Sequence, residues 1–328
     1  MKKYNWGVIG TGRIARSFSD ALRGSADSMT YAVASRNNSK AAAFADENGF
    51  TKAYGSYAEL AADPDIDAVY IATPMAAHFE NASLCLSAGK NVLCEKSVTL
   101  NSKQLEELLS LADKKGVFFM EAMWTKCLPA YLKAKEWIRA GKIGDVRYVK
   151  ADFGNTVKYD PNDRLFRPDC GGGALLDLSV YPLTLAADVL GGEPDEIISS
   201  AHIGGDGVDL SNSIMLRYNS GSFASTDSSF EIPLRNNAVI SGTAGMILFS
   251  DWFFCISDVT LFDRNCKPVE TFRCPHEING YEYEIREFQR CLSEGLTDSP
   301  LVPHSCTLAV MRIMDECRRQ WGMTFPSE

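Results

Sequence analysis

The chain has 328 residues, 45% of them hydrophobic, which is more than one core usually absorbs and predicts two domains. Its 33 basic and 42 acidic side chains leave a net charge of -9 with no basic run or stripe, which argues against a nucleic-acid partner. No stretch reads as an uninterrupted apolar span, and the opening MKKYNWGVIG runs straight into a strand, so a cytoplasmic protein with no membrane partner is expected.

Up to residue 121, apolar runs alternate with amphipathic ones. WGVIG is followed by GRIARSFSDAL, TYAVAS by NSKAAAFADE, AVYIAT by AHFENASLCLSAG, and NVLCEK by SKQLEELLSLADKKG, with VFFMEA closing the series. That order predicts βαβ units wound into a parallel sheet. After helices predicted at 129–140 and near 173–190, the pattern turns to closely spaced strands, SIMLRYN, SFASTDSSF, AVISGTAG and MILFSDWFFCI, with Gly, Asn and Asp turns between them. These predict a large open, mainly antiparallel sheet. Two amphipathic helices follow, in YEYEIREFQRCLSEG and SCTLAVMRIMDECRRQ. The expected fold is therefore α/β, with a doubly wound domain over residues 1–122 joined tightly to an α+β domain over residues 123–328.

The ten cysteines form no CxxC pair, and several lie in apolar runs, so reduced and mostly buried thiols are expected. Four histidines, far apart in sequence, show no zinc-ligand spacing, and no metal is expected.

Gly10-Thr11-Gly12-Arg13-Ile14-Ala15 follows the first strand at once and opens a helix. In that context Gly10 permits a tight turn, Gly12 lets backbone approach a pyrophosphate, and Ala15 allows close helix-strand packing, as in a Rossmann dinucleotide site. At the end of the second strand an NAD-selective site places a carboxylate, whereas this chain has Ser35 and Arg36. A guanidinium pairs with a 2'-phosphate and a carboxylate repels it, so NADP is the expected cofactor, with NAD still possible. Thr73 and Pro74 end the fourth strand where ligands sit in such sheets, and His78 is expected to line the same groove with them.

Removing a hydride from an alcohol carbon also requires an acceptor for the hydroxyl proton. Lys96 closes the fifth strand in Cys94-Glu95-Lys96-Ser97, at the carboxyl edge of the sheet, and is the expected acid-base group, with Glu95 beside it at the cofactor edge. Asp177 and Tyr181 stand four apart in the apolar helix that follows Gly171-Gly172-Gly173. Polar groups on the buried side of such a helix need partners, which a substrate hydroxyl would supply, and Tyr181 is an alternative proton donor.

These blocks, with AYGSYAELAADPDIDAVYIATP, FFMEAMWTKCLPA, GKIGDVRYVKADFG, VISGTAGM and GMTFP, resemble the Gfo/Idh/MocA oxidoreductase family. Within it they look like the branch of dimeric dihydrodiol dehydrogenases and NADP-dependent D-xylose dehydrogenases. The resemblance spans nearly the whole chain. It implies a Rossmann domain followed by a domain whose open sheet joins copies into a homodimer or homotetramer. It also implies Lys96 as catalytic lysine, Asp177 as the aspartate of the second motif, and Tyr181 where this branch has tyrosine. Trp124 looks like the aromatic wall of a substrate pocket, with Phe153, Asn155 and Arg167 as further lining residues. The implied reaction moves a hydride between nicotinamide and the CH-OH group of a sugar, at an aldose C1, or of a trans-dihydrodiol. Two alternatives stay open: an enzyme that keeps NAD(P) bound and cycles it, as a glycosidase or sugar oxidoreductase, and a sensor that binds NADP and a sugar without turnover. The Lys96, Asp177 and Tyr181 set argues against the sensor. The family usually has proline after the lysine, and Ser97 in its place puts the rigidity of that loop in question.

Overall fold

A computed structural model describes residues 3–326. It divides into two compact units.

The first unit runs β1 (Tyr4–Ile9), α1 (Arg13–Gly24), β2 (Ser28–Ala34), α2 (Asn38–Asn48), β3 (Lys52–Tyr54), α3 (Tyr57–Ala62), β4 (Ala68–Ile71), α4 (His78–Ser87), β5 (Asn91–Glu95), α5 (Ser102–Lys115) and β6 (Phe119–Ala122). Every pairing is parallel, in the order β3-β2-β1-β4-β5-β6. Strands covered on both faces must be apolar almost throughout, and β4 and β6 are buried at every residue. The helix α1 turns Ala15, Phe18, Ala21 and Leu22 to the sheet, and Phe18 stacks on Tyr70 with ring centroids 3.6 Å apart.

The second unit contains α6 (Pro129–Arg139), β7 (Val146–Gly154), α7 (Val180–Leu190), β8 (Glu196–Ile203), β9 (Asp209–Arg217), β10 (Phe223–Ser229), β11 (Ala238–Gly242), β12 (Gly245–Phe249), β13 (Asp258–Asp263) and β14 (Pro268–Arg273). Its eight strands form one sheet, β14-β13-β12-β11-β7-β10-β9-β8, antiparallel except for the β7/β10 pair. Buried Val149, Ala151 and Phe153 of β7 alternate with less buried residues that face away from the core. The helix α7 packs on β7 and β10 and is apolar nearly all round.

Two helices complete the chain, α8 (Tyr281–Glu294) and α9 (His304–Trp321). Here the division differs from the expected one. The first unit extends to Trp124 and takes back residues 276–304, so α8 belongs with the parallel sheet and not with the domain expected over 123–328. The reason is packing. Phe288 of α8 lies 5.1 Å from Trp6 and 5.0 Å from Phe118, centroid to centroid, and the Gln289 amide donates to Ser28 Oγ. Contacts of this kind contribute about 1 kcal/mol each beyond simple area burial.

The segment Pro168–Leu190 is long and apolar enough to cross a membrane by length and composition. Its most apolar 18-residue window is 78% buried within the protein, which accounts for its apolarity as that of a core helix.

The crossover into β4 is pinned by Asp63, whose carboxylate is 6% exposed. Its Oδ2 accepts from Tyr54 at 2.6 Å and from Lys52 at 2.9 Å, and Oδ1 accepts from the Asp65 backbone N-H at 3.0 Å. Burial alone would raise its pKa, but these hydrogen bonds outweigh it and hold the group at about 2, against 3.8 for a free side chain. A depressed carboxylate stabilises the fold above its unfolded pKa and loses that contribution as pH falls toward the folded value. Asp63→Asn should therefore cost about 2 kcal/mol near neutral pH, with the deficit shrinking below about pH 4. Urea unfolding of both proteins across that range checks this, and a deficit that does not change with pH would contradict it.

Candidate functional site

In the first unit the site is built on the loop after β1. Gly10 has φ +109°, and a Cβ there would lie 2.6 Å from the Ala72 carbonyl oxygen. Only glycine fits. Gly12 differs, since a Cβ there would meet nothing within 4 Å. It is also the N-cap of α1 and supplies no capping side chain, whereas α2 is capped by Asn37 and α3 by a Ser56/Glu59 capping box. The first amides of α1 thus keep their hydrogen-bonding capacity beside open space, which suits a pyrophosphate. Thr11 and Ile14 are half-buried and Arg13 is exposed on the same turn.

At the end of β2, Ser35 is nearly buried, and Arg36 is exposed with no ion pair to any described residue. Thr73 is half-buried and Pro74 exposed beyond β4. His78 is not a groove-lining residue. It is 1% exposed, with Nδ1 3.0 Å from the Ser97 carbonyl oxygen and Nε2 2.9 Å from that of Thr73. The imidazole braces the β4 loop against the β5 loop, a role one histidine near a helix start does not reveal.

Lys96 is half-buried just beyond β5, and its peptide bond to Ser97 is cis. Its backbone N-H donates to Glu95 Oε2 at 3.2 Å, while Glu95 Oε1 accepts from the Tyr70 hydroxyl. Glu284 of α8 is fully buried, and burial together with the Glu95 charge pushes its pKa well above the usual carboxylate range. Trp124 stacks on Tyr281 at 4.6 Å, meets His276 edge-on at 6.4 Å, and is 9% exposed, so most of its indole is committed to packing.

In the second unit the glycine run leads into a π-helical turn, Leu175–Ser179, which passes directly into α7. This wider winding, where an α-helix was expected, carries Asp177 and delivers Tyr181. Asp177 Oδ1 lies 3.3 Å from both terminal nitrogens of Arg164. The expected Arg167 pairs with Asp169 instead, Nε to Oδ1 at 3.0 Å. Two short helical turns, Arg164–Phe166 and Pro168–Cys170, aim the two guanidinium groups differently. Asn155 is half-buried, with its backbone N-H held by the Ser229 carbonyl at 2.9 Å.

The Tyr181 ring lies 5.7 Å from Phe153 and 5.2 Å from Phe254, which stack on each other at 4.2 Å. Trp252 meets Phe254 edge-on at 5.9 Å and is 47% exposed. Phe254 and Trp252 were not expected here, because MILFSDWFFCI reads as one strand. The strand β12 ends at Phe249, and Trp252 takes a left-handed φ of +67° that turns the aromatic run back. The break at Ser250-Asp251 was the available signal.

The two glycines separate fold from ligand. Gly12→Ala should fold like the parent yet bind NADPH at least about ten-fold more weakly, because its methyl group enters space that the protein leaves open. Gly10→Ala should lose folding stability as well. Fluorescence titration with NADPH alongside thermal unfolding checks both, and unchanged affinity in Gly12→Ala would remove the pyrophosphate from this loop.

Residues 4–123 match the family described as oxidoreductase family, NAD-binding Rossmann fold, and residues 131–248 match the GFO/IDH/MocA C-terminal domain. The chain is 35% identical to trans-1,2-dihydrobenzene-1,2-diol dehydrogenase of Xenopus laevis, covering 98% of this chain and 99% of that one. It is 33% identical to the Homo sapiens protein of the same name, covering 98% of each. Among solved structures it superposes on a 3-ketoreductase from Actinomadura kijaniata in complex with NADP and TDP-benzene, with TM-score 0.86, 28% identity and coverage of 97% and 98%. It also shares the fold of a levoglucosan dehydrogenase in complex with NADH and levoglucosan, with TM-score 0.87, 23% identity and coverage of 97% and 98%. With an uncapped dinucleotide loop ahead of a large open sheet, and relatives matched from end to end, the chain belongs to the Gfo/Idh/MocA family of NAD(P)-dependent oxidoreductases.

Proposed function

We propose that the protein is an NADP-preferring dehydrogenase that oxidises a CH-OH group of a ring-borne trans-diol, a trans-dihydrodiol or the C1 hydroxyl of an aldose. The observation that carries the cofactor preference is the exposed Arg36, with no ion pair among the described residues, beside Ser35 at the strand end where an NAD-selective site keeps a carboxylate. The aromatic group of Phe153, Phe254 and Trp252 around Tyr181 supports a flat or chair-shaped ring as substrate. The names of the dihydrodiol dehydrogenase relatives agree with it.

The bound nicotinamide supplies the hydride acceptor. Lys96 takes the hydroxyl proton at Nζ, and Glu95 is fixed beside it in the chain by the Tyr70 hydroxyl and the Lys96 backbone N-H. Asp177 and Tyr181 bind substrate hydroxyls, and Arg164 orients the Asp177 carboxylate. The ten cysteines are all free thiols, which suits a reducing, cytoplasmic setting.

Kinetics on a panel of trans-diols and aldoses with both cofactors test the reading. Reduced nicotinamide should accumulate with NADP. Lys96→Met should lower kcat by about 100-fold or more while NADPH affinity holds. Arg36→Asp should raise the KM for NADP about 10- to 100-fold and leave that for NAD nearly unchanged. Silence across the panel in protein that binds NADP would refute the dehydrogenase reading.

We also propose that copies associate through the open face of the second sheet. Ile198 of β8, Met215 of β9 and Phe223 of β10 lie in adjoining rows on that face and are 50%, 42% and 41% exposed. Met215→Glu should shift the sedimentation coefficient to that of a monomer, and a parent that already sediments as a monomer would exclude the proposal.

A further inference from the structure

Asp209 is the first residue of β9, and none of its surface is exposed. Its Oδ2 accepts two hydrogen bonds of 2.8 Å, from the backbone N-H of Leu175 and from the side-chain amide of Asn212. Asn212 in turn accepts from the Ser179 hydroxyl at 2.9 Å. The π-helical turn is thus fastened at its first residue, by its N-H, and at its last, by its hydroxyl, to one strand of the sheet. Asp177 sits midway between those two ties, and Tyr181 follows two residues after the second. Gly173 is part of the same device. It has φ +116°, and a Cβ there would lie 2.3 Å from Asp209 Oδ1, so the chain can enter the turn beside this carboxylate only without a side chain.

A buried carboxylate is a costly way to cap a helix start when a surface serine would serve, as Ser56 does for α3. Its use here needs a reason. Among the causes that set its titration none is a nearby charge; burial raises the pKa to about 6 and the Asn212 and Leu175 hydrogen bonds pull the other way. Cys317 of α9 is the titratable group whose thiol senses Asp209 from a second element. Oδ2 is thus the shared acceptor on which both N-H donors converge.

We infer that Asp209, acting with Asn212, is a positioning residue that locks the Leu175–Ser179 turn so that Asp177 and Tyr181 are held in working orientation. The inference rests on the dehydrogenase reading, since it assigns those two residues to substrate. Asp209 touches no substrate, as its full burial requires, and acts through the turn.

Three variants test it, with turnover measured per folded molecule. Asp209→Ala should lower kcat about 10- to 100-fold while the KM for NADP stays within about two-fold, because displacement of binding groups by about an ångström costs that much. Asp209→Asn keeps an acceptor oxygen toward Leu175 and Asn212 and should restore kcat to within about three-fold of the parent. Ser179→Ala cuts only the far tie and should lower kcat about 3- to 10-fold, which decides the matter if Asp209→Ala fails to fold. Parental kcat in Ser179→Ala, or in folded Asp209→Ala, overturns the inference, as does an Asp209→Asn protein no more active than Asp209→Ala. A parent that turns over while these variants match it sinks this inference alone. A parent with no turnover on any diol or aldose sinks the dehydrogenase reading, and this inference with it.

Discussion

The backbone of Gly10 and the carbonyl of Ala72 approach so closely that no side chain could stand between them. They meet because β1 is hydrogen-bonded to β2 on one side and β4 on the other, and the chain leaves those strands in opposite directions. At that reversal the loops part, and the parallel sheet offers a crevice at its carboxyl edge. Gly10, Thr11, Gly12, Ser35, Arg36, Thr73, Pro74 and Lys96 sit on loops leaving β1, β2, β4 or β5 at this edge, with Arg13 and Ile14 opening α1 and Glu95 closing β5. The His78 brace then ties the loops of β4 and β5 together beneath it, so the position of Lys96 is coupled to that of Thr73 through one buried ring.

The second unit solves a different problem. A wide sheet with one covered face buries its alternate residues against α7, which leaves that helix almost no polar side on which to display chemistry. The polar groups are therefore placed at its start, where a π-helical turn breaks the regular winding and a buried carboxylate, a glycine and an amide restrain it. Such departures from ideal geometry need support from the surrounding structure, and functional sites are where that support is commonly found. The aromatic group beside Tyr181 is drawn from β7 and from the turn after β12, elements that are distant in sequence and brought close by the sheet.

Local signals carried much of this. TYAVAS ends at Ser35, one residue past the end of β2, so the location of Ser35 and Arg36 follows from the apolar run alone, and the glycine spacing after WGVI locates the α1 start in the same way. What sequence could not carry depends on irregular or distant structure. Arg164 and Arg167 stand three residues apart in one loop, and only its two short helical turns decide which reaches Asp177. His78 reads equally well as a solvated residue or a ligand contact until the Ser97 carbonyl is seen beside it. The helix α8 is plain from its periodicity, but an amphipathic pattern does not name the surface it covers.

The return of α8 to the parallel sheet has a bearing on how this molecule can come into being and be taken apart. Trp6, Phe118 and the face around them wait for residues made more than 150 positions after β6. During synthesis the nucleotide-binding half therefore keeps an aromatic surface open while the whole antiparallel sheet is being threaded out, a window in which chaperones or stray contacts can act. Cutting after Trp124 would yield an unfinished body, and any transplant of this half to another protein must carry both of its separated stretches.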